Sequence, residues 1–336
     1  MTTPKENMEK IFNHEVADWI PHFFADAPTF IDGFVERPVF SDGVDAWGTK
    51  WISCPTAMGM TNPDVSDIKF TELDDWKEKV VFPDLEKIDF SPVFDQTREF
   101  DRENNMITYI SLNGIFERSH IMMGFENALI AAYEDPEEFD AMMAAFAEHK
   151  IRLLKKMYEL VQPDIFLYHD DMATQKAPFL PTDFYVKHLF PHYKKIADAA
   201  RAIGYKHVMQ HSCGKIETLI PAWLECGFEG WESVMPVNDL PRLKKEYGDR
   251  IVFASALDAQ EVLGQATATR QDIEKMIVKY LKTMAYDGTG FMFTNSILMS
   301  LNPVNEEIAN EFIAKHSKAM CDAVKAGIEY VPNYEA

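Results

Sequence analysis

The sequence has little cysteine, and its cysteines form no disulfide framework. The 336 residues include only four, widely separated along the chain: Cys54, Cys213, Cys226 and Cys321. Scattered thiols are typical of a reducing compartment, so a cytoplasmic protein is expected. No uninterrupted apolar run is long enough to cross a bilayer, and the first residues form no apolar signal core. We therefore expect no membrane partner.

Positive charge is also scarce. The chain carries 33 Lys and Arg against 54 Asp and Glu, a net charge of −21 at pH 7. Such a surface repels nucleic acid and anionic membranes, and it disfavours a polyanionic substrate unless a local basic pocket is present. No glycine-rich dinucleotide fingerprint follows a predicted strand, which disfavours an open dinucleotide-binding sheet.

Predicted strands and helices alternate regularly from residue 106 onward. The strands are nearly all apolar, which is typical of a parallel sheet buried on both faces. Seven or eight such strands in units of about 25–40 residues predict an α/β fold, a (β/α)8 TIM barrel forming one domain over residues 1–336. The first strand is predicted at 18–26. Residues 27–106, rich in proline, glycine and aromatics, predict short antiparallel strands and loops as a lid or insertion after it.

Polar residues follow these predicted strands. In a barrel, the carboxyl ends of the strands converge on one mouth, where the chemistry is usually done. The residues expected there are Asp26, Asn113, His169, Asp170, Asp171, His211, Cys213, Glu232, Asp258 and Asn295.

His211 and Cys213 stand two apart at the end of a predicted strand. Alternating side chains place both on one face, where an imidazole and a thiol form half of a zinc site. The alternative is a histidine that caps a turn beside an ordinary buried cysteine. Glu232 and Asp171 are the best candidates for a third ligand through oxygen, although both could instead bond to backbone amides.

The run His169-Asp170-Asp171 is the candidate catalytic group. Adjacent carboxylates favour a raised pKa on one of them, which can then donate a proton. The alternative is a turn in which the aspartates are satisfied by their neighbours.

Several stretches resemble the uroporphyrinogen decarboxylase superfamily. The likeness covers nearly the whole chain and implies a single (β/α)8 barrel. The stretches are 168–178 (YHDDMATQKAP), 211–214 (HSCG), 243–253 (LKKEYGDRIVF), 256–258 (ALD), 114–117 (GIFE) and 123–126 (MGFE).

Two departures narrow the resemblance. True decarboxylases carry an arginine-rich stretch just after the first strand, whereas residues 23–30 (FFADAPTF) contain no arginine. An octa-anionic porphyrinogen is therefore not expected. In the corrinoid-dependent methyltransferase branch, the zinc motif resembles His211-Xaa-Cys213. Its thiol-methylating members add a later cysteine near the last strand, which residues 293–298 (FTNSIL) lack.

The resemblance thus implies a methyltransferase of an anaerobic O-demethylation system. It would move methyl from a small donor, an aryl methyl ether above all, to the cobalt of a separate corrinoid protein, with zinc or an acid activating the leaving oxygen. It implies His211 and Cys213 as zinc ligands, and Glu232 is the expected third ligand. The donor would contact an apolar wall and polar strand ends, namely Met123, Met172, Trp231, Asn113 and Asn295.

Three alternatives stay open at this point. The first is transfer from a methyl-corrinoid to a thiol or to tetrahydrofolate. The second is metal-free decarboxylation of a small acid, and the third is a corrinoid-binding chaperone on a barrel scaffold. A homodimer is also left open by the sequence.

Overall fold

The computed structural model describes residues 1–54, 60–294, 302–330 and 332. Ten strands lie in these ranges and form a seven-stranded sheet and a three-stranded sheet. They are β1 Thr29–Ile31, β2 Gly43–Val44, β3 Lys50–Ser53, β4 Thr61–Pro63, β5 Thr108–Ser111, β6 Ile165–His169, β7 His207–His211, β8 Gly230–Glu232, β9 Val252–Ala256 and β10 Phe291–Thr294.

Helices fill the connections between the strands. They are α1 Pro4–Phe12, α2 Phe23–Asp26, α3 Gly33–Glu36, α4 Trp76–Lys79, α5 Ser91–Thr97, α6 Ile115–Met123, α7 Phe125–Glu134, α8 Pro136–Val161, α9 Thr182–Phe184, α10 Phe190–Ile203, α11 Ile220–Cys226, α12 Leu240–Tyr247, α13 Arg270–Met284 and α14 Pro303–Ala326. Among the helices described, none combines the length and apolar character that a bilayer crossing requires.

The large sheet confirms the predicted parallel arrangement. Its strands follow chain order, β1-β5-β6-β7-β8-β9-β10, and every neighbouring pair is parallel. All four residues of β5 and of β10 are buried. The apolar runs that predicted these strands are therefore buried on both faces of the sheet, against the barrel interior on one side and the surrounding helices on the other.

The sheet curls until its two edges approach each other. His22 forms a parallel bridge to Phe293, and Phe293 N donates to Pro21 O at 2.8 Å, so His22 lies one strand beyond β10. Across a flat sheet, His22 would stand about 34 Å from β1, seven strand spacings away. The chain from His22 to Thr29 reaches at most about 25 Å. The sheet must therefore bend into a TIM-like barrel. The described residues supply seven strands and one bridge to it, and the predicted count of eight strands stays a prediction.

The first strand lies later than predicted. Residues 18–26 are not a strand, because Phe23–Asp26 is the short helix α2, and the Asp26 carboxylate accepts from Trp19 Nε1 at 3.2 Å and His22 N at 3.1 Å. These bonds close a local turn that an apolar run does not reveal. Strand β1 instead lies inside segment 27–106, so the stretch after the first strand contains Arg37.

Segment 27–106 contains the short antiparallel strands that its composition predicted. Strands β2, β3 and β4 pair in register, with Gly43 opposite Trp51 and Trp51 opposite Pro63. The loop between β2 and β3 is held to the barrel by Asp45, whose Oδ2 lies 2.9 Å from Nη1 of Arg118 in α6. That segment 27–106 acts as a lid stays a prediction.

Candidate functional site

Three polar side chains stand side by side at the carboxyl ends of adjacent strands. His169 of β6 is in register with His211 of β7, and His211 with Glu232 of β8. Residues in register on parallel strands point to the same face. The two imidazole rings are consequently stacked, with centroids 4.0 Å apart and planes inclined by 11°.

Each imidazole is held by a carboxylate at its Nδ1. His169 Nδ1 lies 3.0 Å from Oε2 of Glu117, and His211 Nδ1 contacts Oε2 of Glu232. The other oxygen of Glu232 accepts from Thr294 Oγ1 at 3.4 Å. A carboxylate at Nδ1 fixes the ring and favours the tautomer with its lone pair on Nε2.

A thiol and a further carboxylate face the Nε2 atom of His211. Cys213 Sγ and Asp171 Oδ1 each lie 3.7 Å from it. Asp171 Oδ1 also accepts from Cys213 N at 2.7 Å, and Cys213 Sγ lies 3.2 Å from Ser233 Oγ. Ser233 has a φ of 68°, an unfavourable backbone conformation at a residue that contacts the thiol.

The His211–Cys213 pair fits zinc. Zinc–sulfur and zinc–nitrogen bonds at a tetrahedral angle separate the two ligand atoms by about 3.6 Å, and the observed separation is 3.7 Å. Asp171, one of the two predicted oxygen ligands, lies on the same side of the ring as Cys213. Glu232, the other, contacts the opposite nitrogen, a position typical of a residue that orients a metal-binding histidine.

The charges of this cluster are strongly coupled. Burial alone would raise the pKa of Glu117, but the charge and hydrogen bond of His169, with His120 and Arg37, lower it to about 2. Burial raises the pKa of the Cys213 thiol and Asp171 raises it further, while His211 acts in the opposite direction. Burial also opposes a charge on His211, yet Glu232 and Cys213 raise its pKa well above the ordinary value.

Asp170 is directed away from this cluster. It is fully buried and accepts from Phe116 N at 3.0 Å, Glu117 N at 2.8 Å and Tyr193 Oη at 2.6 Å. A Cβ on Gly114 would stand 2.2 Å from its carboxyl group, so the backbone approaches closely here. Burial, reinforced by Glu117, raises the pKa of Asp170 to about 8. Asp170, predicted as catalytic, thus holds the first turn of α6 and with it Glu117.

Two of the predicted substrate-binding residues lie apart from the cluster. Trp231 is fully buried and packs on Trp223 of α11, on the face of β8 opposite to Glu232, while its Nε1 donates to Ser212 O at 3.0 Å. Asn113 is buried as well, and its Nδ2 donates to Glu36 O at 2.7 Å.

The remaining three differ in position. Met172 follows Asp171 directly, and its backbone N donates to Ser212 Oγ at 3.0 Å, but its side chain is fully buried. Met123 is buried at the end of α6, two turns beyond Glu117. Asn295 lies outside the described residues.

Sequence reasoning gave no role to three residues near the mouth: Arg37, Glu117 and His120. Arg37 rests over the Trp51 ring at 5.2 Å, and its Nε donates to Thr61 Oγ1 at 3.4 Å. Within the ranges that the structure describes, it forms no ion pair; burial lowers its pKa, and Glu117 and Asp171 oppose that effect. One feature of the sequence pointed to the last two: Glu117 and His120 are polar residues three apart in the otherwise apolar helix α6, so they share one face of it.

Residues 57–297 match the protein family described as uroporphyrinogen decarboxylase (URO-D). The chain belongs to this family. Among solved structures, a methyltransferase from Methanosarcina mazei is 15% identical with a TM-score of 0.71, and the match covers 94% of this chain and 99% of that one. A beta-mannanase from Bacteroides ovatus is 11% identical with a TM-score of 0.37, covering 72% and 76% of the two chains. No curated protein sequence matches the chain significantly.

Membership of the uroporphyrinogen decarboxylase family agrees with the resemblance inferred from the sequence, and the likeness to the Methanosarcina mazei structure supports the barrel fold. Neither comparison assigns the donor, the metal or the residues of the site.

Proposed function

We propose that this member of the uroporphyrinogen decarboxylase family moves a methyl group from a small methylated donor to the cobalt of a separate corrinoid protein. An aryl methyl ether is the first candidate donor. The observation that carries the proposal is the pair His211 Nε2 and Cys213 Sγ, 3.7 Å apart at the barrel mouth, with the ring oriented by Glu232. A methyltransferase shares this fold over 94% of the chain.

The reaction requires an in-line arrangement. Cobalt(I) supplies an electron pair to the methyl carbon while the carbon–oxygen bond breaks, and the oxygen leaves with the bonding pair. A barrel mouth that fixes the donor therefore lowers the entropic part of the barrier. A zinc ion bound at His211 and Cys213 would supply Lewis acidity toward the departing oxygen.

The residues of the chain support this step in distinct ways. Glu232 holds the His211 ring, and Thr294 holds Glu232. The Arg37 guanidinium, fixed over Trp51, provides positive charge beside Glu117 and Asp171 and would stabilise an anionic leaving group.

The test follows methyl transfer directly. The full-length protein, a reduced corrinoid protein and guaiacol-type ethers should together give methyl-cobalt absorbance. His211→Ala should remove the signal. His192→Ala should retain it, because His192 pairs with Asp140 at 3.2 Å and takes no part in the site. If no ether yields methyl-cobalt with the wild-type protein, the proposal is wrong.

Decarboxylation of a small acid is the second candidate, and Arg37 is the observation that favours it. A guanidinium shortly after β1 can hold a substrate carboxylate, and the family is described as a decarboxylase. Release of carbon dioxide from small acids by chelator-treated protein, unaffected by His211→Ala, would select this candidate over methyl transfer.

A further inference from the structure

We propose that strand β6 supplies two further metal ligands, His169 and Asp171, beside His211 and Cys213. The inference rests on the proposed function only in that a metal acts at this mouth. It gives the site two imidazoles, one thiolate and one carboxylate.

The first argument is position. His169 is in register with His211, and one ligand atom from each of His169, Asp171 and His211 lies within 4.8 Å of the others. Stacking brings the two rings to a centroid distance of 4.0 Å. Two imidazolium ions would repel each other at that distance, whereas two neutral rings can share one cation.

The second argument is that the two histidines are supported alike. Glu117 contacts Nδ1 of His169, and Glu232 contacts Nδ1 of His211. Metal-binding histidines typically donate their other ring nitrogen to a carboxylate, which fixes the tautomer and orients the ring. A single proton-transferring histidine would need one such pair, whereas this mouth has two on neighbouring strands.

The support of His169 is itself held in place. Glu117 lies in the first turn of α6, and its backbone N donates to the buried Asp170 at 2.8 Å. This bond fixes the carboxylate that positions the ring. Asp170 and Glu117 are therefore positioning residues for His169.

The third argument concerns Asp171. Its Oδ1 lies 3.7 Å from His211 Nε2, close to the separation of about 3.4 Å for an oxygen and a nitrogen on one tetrahedral zinc. The bond from Cys213 N at 2.7 Å holds this oxygen beside the Nε2 edge of the His211 ring.

The fourth argument is charge. With the two imidazoles neutral, the three carboxylates Glu117, Asp171 and Glu232 leave a surplus of negative charge around the rings. A divalent cation would balance this surplus. Nitrogen, sulfur and oxygen donors together favour zinc or cobalt over magnesium or calcium. The β6 ligands would thereby replace the later cysteine that residues 293–298 lack.

Metal affinity tests the inference without any methyl-transfer assay. Chelator-stripped full-length protein is titrated with Zn²⁺ in competition with a chromophoric chelator. We expect His169→Ala and Asp171→Asn each to weaken binding about 100-fold or more, and Glu117→Gln to weaken it about 10- to 100-fold. His192→Ala, another histidine paired with a carboxylate, should bind like the wild type.

Zinc X-ray absorption gives a second readout that does not depend on a variant folding. The wild-type spectrum should fit two imidazoles and one sulfur. One imidazole in that spectrum, or His169→Ala binding zinc like His192→Ala, would overturn the inference and leave the metal at His211 and Cys213. Failure of the wild-type protein to bind zinc would overturn this inference and the metal-assisted form of the proposed function together. Methyl-cobalt formation would still be measured separately.

Discussion

Two clusters of ionisable side chains lie in this barrel, and they differ in how their charges are paired. In the cluster beside the small sheet, Arg118 pairs with Glu36 at 2.6 Å and with Asp45 at 2.9 Å, and Lys150 pairs with Glu36 at 3.0 Å. These side chains are at most 3% exposed. Each charge therefore has its partner inside the protein, and Lys150 also donates to Leu112 O at 2.9 Å.

The cluster at the mouth is arranged differently. The side chains of His211 and Asp171 are 15% and 34% exposed, and Cys213 lies beside them. One ligand atom from each of His169, Asp171 and His211 lies within 4.8 Å of the others, and Cys213 Sγ lies 3.7 Å from His211 Nε2. Glu117 and Glu232, the carboxylates that orient the rings, contact the opposite ring nitrogens. A charged cluster with all its partners inside holds the fold together, whereas one whose donors face a shared space can bind something.

The largest expected effect is a loss of activity in a variant of the mouth cluster. His211→Ala should lower methyl transfer on the order of 10³- to 10⁴-fold, because a Lewis acid contributes several kcal/mol to the barrier. Its loss of stability should be smaller than that of Arg118→Met, because only one buried carboxylate, Glu232, loses its partner. Rates measured by methyl-cobalt absorbance, beside a melting curve, check both expectations. A variant that unfolds at a much lower temperature than the wild type and keeps its activity would show that His211 stabilises the fold and takes no part in methyl transfer.

The next effect is on stability, at the other cluster. Arg118→Met should destabilise the protein by about 3–5 kcal/mol, because Glu36 and Asp45 would keep buried charges without their partner. Urea unfolding followed by circular dichroism measures the loss. Arg242→Met is the control, since Arg242 is 40% exposed and its ion pairs contribute little. Equal losses in the two variants would contradict the distinction between the clusters.

A smaller effect, on zinc affinity, tests whether Glu232 orients His211 or binds the metal itself. Glu232→Gln should weaken zinc binding about 10- to 100-fold, because a neutral amide replaces the carboxylate that orients the His211 ring. The matched control is Glu229→Gln, because Glu229 Oε1 lies 3.4 Å from His207 Nδ1 at the opposite end of the same two strands. Competition titration should show no change for this control. Complete loss of zinc in Glu232→Gln would instead make Glu232 a direct ligand.

The last effect depends on pH and concerns Asp32, which neighbours the structural cluster and accepts from Tyr109 Oη at 2.6 Å. Burial, opposed by Lys150 and reinforced by Glu36, raises the pKa of Asp32 from 3.8 to about 7. The folded protein then keeps a proton that the unfolded chain releases. The contribution of Asp32 to stability is thus complete below pH 3.8 and is lost as pH rises toward about 7.

Asp32→Asn should remove this dependence, since the amide stays neutral. The difference in unfolding free energy between variant and wild type should change by about 1.4 kcal/mol per pH unit between pH 4 and 7. Urea titrations across that range measure it. A difference that stays constant with pH would show that Asp32 is ionised in the folded protein.

The sequence predicted the parallel sheet and the meeting of His211 with Cys213 because both follow from local periodicity. Apolar runs between helices specify buried parallel strands, and a spacing of two on a strand specifies a shared face. The structure brings these two side chains to 3.7 Å.

Other parts depend on contacts between distant segments. The apolar run at 18–26 reads as a strand, yet the bonds to Asp26 close it into a turn and a short helix. Misplacing that strand hid Arg37, which comes shortly after β1. The pairing of Glu117 with His169 joins residues 52 apart, and no local pattern encodes it.

The central claim is that a metal is bound where the side chains of His211 and Cys213 meet, and anomalous scattering tests it most directly. Crystals of protein purified with zinc and without chelator should show a peak across the zinc absorption edge, in contact with His211 Nε2 and Cys213 Sγ. A map with no peak between these two atoms, from protein shown to be correctly folded, would contradict the claim.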